Sequence, residues 1–81
     1  MIKYDYSKLR GLIREKMKTE GAFALALGRS HNFVSQVFNG DTYFTHGDIV
    51  KACDLLGIEP SDIGLYFFTP EVHEAELAEA N

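Results

Sequence analysis

Between Glu20 and Gly40 the chain reads EGAFALALGRSHNFVSQVFNG, two short apolar stripes separated by a tight turn. Ala22, Phe23, Leu25, Ala26 and Leu27 form a compact apolar segment that stops at Gly28. A glycine there takes the left-handed conformation that ends a helix without a Cβ clash. Ser30 offers a side-chain oxygen to cap a second helix. That helix, Ser30 to Asn39, carries Val34, Val37 and Phe38 on one stripe. His31, Asn32, Ser35, Gln36 and Asn39 fall mostly on its other side, and Asn39-Gly40 ends it. Ala24, one turn before Gly28, suits a close crossing of the two helices, with Val34 filling the angle between them.

The same period runs upstream and downstream. Tyr6, Leu9, Ile13 and Met17 predict a helix over Tyr4 to Lys18, capped by Asp5 or Ser7. Its polar face holds Lys8, Arg10, Arg14, Lys16 and Lys18, and Gly11 costs it about 1 kcal/mol relative to Ala. Thr19 is the expected cap of the next helix. After a loop from Asp41 to Phe44, the run Phe44-Thr45-x-x-Asp48-Ile49 reads as a capping box with Phe44 stapled against Ile49. The fourth helix runs from His46 to Leu56, with Ile49, Ala52, Cys53 and Leu56 facing inward and Gly57 at its end. Pro60 opens a short fifth helix, with Ser61 and Asp62 near its positive end and Ile63, Tyr66 and Phe67 on its apolar face. Thr69-Pro70 breaks the pattern, and the stretch beyond it is acidic, either a fraying helix or disordered. The expectation is an all-α, five-helix domain over residues 1–69 and an acidic tail over 70–81.

Composition narrows the class. The 81 residues are 46% hydrophobic and 25% charged, one ordinary globular domain. No apolar run is long enough to span a membrane, and MIKYDYSK lacks the apolar core of a signal peptide. One cysteine forms no internal disulfide, so a reducing, cytoplasmic setting is expected. The net charge of −4 is unevenly spread. Residues 1–58 hold all 8 Lys and Arg and 6 of the 12 acids, a balance of +2, whereas residues 59–81 hold 6 acids and no base. Such asymmetry fits a nucleic-acid surface with an acidic appendage.

The spacing of Ala24, Gly28, Val34, Val37 and Asn39-Gly40 resembles the helix-turn-helix of the lambda-repressor and Cro-like DNA-binding proteins. SKLRGLI, GAFALALG, YFTHGDIVKACDLLGI and Tyr66-Phe67-Phe68 extend the likeness to Cro-like proteins of Gram-positive phages and prophages, over roughly residues 4–68. The resemblance implies a lambda-repressor-like domain whose recognition helix, Ser30 to Asn39, lies in the DNA major groove. His31, Asn32 and Gln36 would read bases, and Ser30, Ser35 and Asn39 would hold phosphates or cap. Arg29 would fold its stem over the core and point its head at a phosphate. Arg14 and Lys18, with Arg10 and Lys16, either contact phosphates or form a solvated face. Two positions depart from the family: Glu20 replaces a phosphate-binding Gln, and Arg29 replaces a small apolar residue. The expected function is a Cro-like transcriptional regulator that occludes operator DNA as a homodimer, paired weakly through residues 63–69.

The rival reading is an antirepressor-type module that binds a phage repressor instead of DNA. The negative charge, Glu20, Phe33 and Phe38 lean that way. Phe33 could meet a thymine methyl, a protein partner or a neighbouring helix. An antitoxin-like partner protein is a third reading. No catalytic chemistry stands out. His31, His46 and His73 have no metal-ligand spacing with each other or with Cys53, and Cys53 reads as a small buried hydrophobe. With no Ser-His-Asp set, phosphate loop or close carboxylate pair, neither an enzyme nor a cofactor is expected.

Overall fold

Residues 2–71 are described by a computed structural model. Five helices follow one another: α1 (Ser7–Met17), α2 (Glu20–Leu27), α3 (His31–Phe38), α4 (His46–Leu56) and α5 (Ile63–Phe67), the last preceded by a 3-10 turn at Pro60–Asp62. This is the all-α, five-helix class that the apolar periodicity predicts. Of the acidic tail expected over 70–81, residues 72–81 lie outside the described residues. Among the described residues no helix is long and apolar enough to cross a membrane.

Side-chain caps start three of the helices. Thr19 Oγ1 accepts from the Ala22 N–H at 3.0 Å, and Ser30 Oγ accepts from the Phe33 N–H at 3.0 Å. At α4 the cap is reciprocal: Thr45 Oγ1 accepts from the Asp48 N–H at 3.1 Å, and Asp48 Oδ2 accepts from the Thr45 N–H at 3.0 Å. Each such cap contributes about 1 kcal/mol. Gly28 closes α2 at φ 81°, where the Arg29 N–H reaches back to the Ala24 carbonyl at 3.0 Å.

α1 starts later than its apolar stripe predicts. Tyr4 is extended and forms an antiparallel bridge with Pro70. The Asp5 N–H donates to the Thr69 carbonyl at 2.7 Å, and the Glu71 N–H donates to the Lys3 carbonyl at 2.9 Å. Backbone groups engaged this way are not available to a helix. Neither Asp5 nor Ser7 is the cap: the N-cap residue is Tyr6, with no side-chain cap bond, and Ser7 is the first helical residue. The Asp5 carboxylate, one residue before the cap, accepts from the Ser7 hydroxyl and from the Ser7 N–H, the latter at 2.9 Å. Those bonds favour the ionised form and hold the Asp5 pKa below its ordinary value.

The other end of α1 is strained. Lys18 has φ 73° and ψ −45°, and the Thr19 N–H bonds the Met17 carbonyl at 2.9 Å around it. This is the γ-turn whose central residue takes positive φ, a rare conformation for a residue with a Cβ. Lys18→Gly is therefore expected to stabilise the domain by about 1 kcal/mol, read as a higher urea midpoint at unchanged slope. A lower midpoint would mean that contacts of the Lys18 side chain outweigh the strain.

α1 packs on α2, α4 and α5, and α2 packs on α3 and α4. Leu9, Ile13, Phe23, Val34, Val37, Leu56 and Phe67 are fully buried between them, each contributing about 1.5–3 kcal/mol of hydrophobic stabilisation. Phe44 does far more than staple a helix start. It is 8% exposed, and its ring meets those of Tyr6, Phe23, Phe33, Phe38 and Phe67 at centroid distances of 6.0–6.4 Å, all edge-on. One loop residue thus joins the N-cap of α1 to α2, α3 and α5.

Candidate functional site

α3 presents one face to solvent, and that face carries no Lys, Arg, Asp or Glu. His31, Asn32, Gln36 and Asn39 are exposed, and Ser35 is half-buried. Ser30 is exposed but its hydroxyl is engaged as the cap of α3. The burial of Val34 and Val37 turns these polar residues outward together.

Two arginines flank the face, and both are already engaged. Arg10 on α1 donates from Nε and Nη2 to Glu20 Oε2 at 3.1 and 3.0 Å, with its Cζ 5.2 Å from the centre of the Phe38 ring. Arg29, in the turn, places Nη2 3.2 Å from Asp48 Oδ2 and its Cζ 3.8 Å from the centre of the Phe33 ring. Each guanidinium therefore lies over one edge aromatic of α3 and is anchored by a carboxylate from another helix. The Arg29 head is not turned out toward a phosphate, and its Nε is buried with no hydrogen-bond partner. Phe33 and Phe38 are half-buried against Phe44, so packing against the core accounts for Phe33. Glu20, the departure from the Cro-like pattern, has a structural partner in Arg10.

Arg14 on α1 and Lys18 at its C-cap are exposed and make no ion pair among the described residues. They line a cleft of about 260 Å³ together with Arg10, Glu20 and His31. An apolar groove of about 380 Å³ opens elsewhere, between Ile2, Tyr4, Tyr43, Ile49 and Phe68. On and beside α5, Phe67 is buried and Tyr66 half-buried, whereas Leu65 and Phe68 are each 46% exposed. The expected homodimer rests on those two exposed side chains.

Burial pushes the Cys53 thiol and the Tyr6 phenol above their ordinary pKa values, which keeps both protonated. Among the described residues no three His, Cys, Asp or Glu side chains are grouped to hold a metal ion.

Residues 2–70 match the family described as "Protein of unknown function (DUF739)". No curated protein matches the chain. Among solved structures it is similar to the solution structure of the modulator of repression (MOR) of the temperate bacteriophage TP901-1 from Lactococcus lactis. The two share 43% identity over 86% of this chain and 95% of that one, with a TM-score of 0.72. The expectation of a Cro-like, DNA-binding transcriptional repressor is corrected by this finding: the similar phage protein is a modulator of repression. The physical reason is visible in the face itself. Phosphate contacts from Lys and Arg dominate affinity for DNA, and here the helix has none while both flanking arginines are bound to carboxylates.

Proposed function

This chain belongs to the DUF739 family, and we propose that it modulates repression by binding a phage repressor protein through the outer face of α3. The observation that carries this reading is the charge placement: an uncharged α3 between two internally paired arginines. The similarity to a phage modulator of repression supports it. The helix pair keeps the Cro-like spacing of Ala24, Gly28 and Val34 but serves a protein partner. His31, Asn32, Ser35, Gln36 and Asn39 offer neutral donors and acceptors at the rim, and the partly exposed edges of Phe33 and Phe38 supply apolar contact. The arginine pairs hold those two rings in place before the partner arrives, which lowers the ordering cost of binding. The activity is binding, not catalysis.

The test is calorimetric titration of the purified chain against the repressor of the phage or prophage that carries it. A stoichiometric complex is expected, and Gln36→Ala should weaken it by about tenfold, the effect of losing a contact worth at least about 1 kcal/mol. Tight operator binding by the chain alone, with no repressor complex, would overturn the reading.

A further inference from the structure

The cleft beside α1 and the first residue of α3 is lined by two cations. Arg14 lies in the last turn of α1 and Lys18 is the C-cap that follows it, and neither has an ion-pair partner among the described residues. Lys18 is also held at φ 73°, in the strained γ-turn that ends α1. Backbone strain persists where surrounding structure enforces it and often marks a working site. His31, the first residue of α3, and the fully buried Ile13 form part of the lining.

We propose that this cleft seats an acidic segment of the partner repressor, a stretch of Asp or Glu continuing from the contact on α3. Charge complementarity selects the occupant: Arg14 takes a carboxylate in bidentate fashion and Lys18 takes a second as a point charge. The Glu20 carboxylate in the same cleft is paired with Arg10 at 3.0 Å, so Arg14 and Lys18 are the charges left for the segment, and two spaced carboxylates match them. The inference rests on the repressor-binding reading and adds to it the chemistry of the partner and two residues that α3 does not contain.

The experiment compares repressor binding by the wild type, Gln36→Ala and the double variant Arg14→Gln/Lys18→Gln, at low and moderate salt. The double variant is expected to bind about tenfold more weakly and to lose most of the salt dependence, because exposed charge pairs are modest singly and screened by salt. Both side chains are exposed, so the fold is retained. If Gln36→Ala weakens binding and the double variant does not, the cleft proposal fails while the functional reading stands. If the repressor does not bind at all, the functional reading fails, and the cleft is probed alone with a capped alternating Glu–Ala peptide. Amide shifts at Arg14, Lys18 and His31 then support an acidic-segment site, and their absence overturns it. Tighter binding of duplex DNA at the same amides also overturns it. So does movement of those amides on deleting residues 72–81 with no peptide present, which assigns the cleft to the chain's own acidic end.

Discussion

Phe44→Ala is expected to destabilise the domain by about 3–5 kcal/mol, the cost of emptying a large aromatic site in a core. Its ring contacts five others, Tyr6 at the N-cap of α1 and four from α2, α3 and α5, so few neighbours can close the gap without moving a helix. A domain of this size has only about 4–10 kcal/mol in total. The variant should therefore lose much of its cooperative urea transition, followed by far-UV circular dichroism. Phe44→Leu keeps most of the volume and should cost much less, which separates filling from ring geometry. A Phe44→Ala protein within about 1 kcal/mol of wild type would show that the ring cluster is an assembly of convenience and not the centre of the core.

Asp48→Ala is expected to cost about 2–3 kcal/mol. Two losses add. One is the Asp48 half of the capping box, the bond its carboxylate accepts from the Thr45 N–H, about 1 kcal/mol. The other is the partner of Arg29, whose guanidinium is then left over Phe33 with its Nε already unpartnered. The Arg29 side chain is 36% exposed, so water moderates this second loss and it stays below that of a fully buried pair. Thr45→Ala removes the other half of the box, the bond its hydroxyl accepts from the Asp48 N–H, leaves the ion pair in place, and serves as the comparison. Equal effects of Thr45→Ala and Asp48→Ala in urea unfolding would show that the ion pair contributes nothing to stability.

Most of the local architecture was legible in the sequence because it is decided locally. Thr19, Ser30 and Thr45 cap where their positions ahead of apolar runs say they should, and Gly28, Gly40 and Gly57 take positive φ at helix ends. The features that escaped the sequence are long-range. Tyr4 looks helical by period but is extended, because its neighbours bond to Thr69 and Glu71. Phe44 sits in a loop by pattern, and nothing local shows that five rings converge on it. The polar residues of α3 were readable as a face, yet the class of partner was not. Counting bases along the chain does not show that Arg10 and Arg29 are held by Glu20 and Asp48. Those pairs join residues on different elements, and only the packed fold removes the two cations from the reckoning.

The bridge between Tyr4 and Pro70 has a mechanical consequence. Lys3 and Glu71 lie side by side at the edge of the folded body, joined to each other and, through Asp5 and Thr69, by one further bond. A load drawing residues 3 and 71 apart therefore meets the two bonds in series, as the teeth of a zipper, and never both at once. The clamp yields tooth by tooth at low force, before any helix is disturbed. As it opens, Tyr4 parts from Phe68, whose rings stand 5.5 Å apart edge-to-face, and the wall they share is the first piece of the domain to come away.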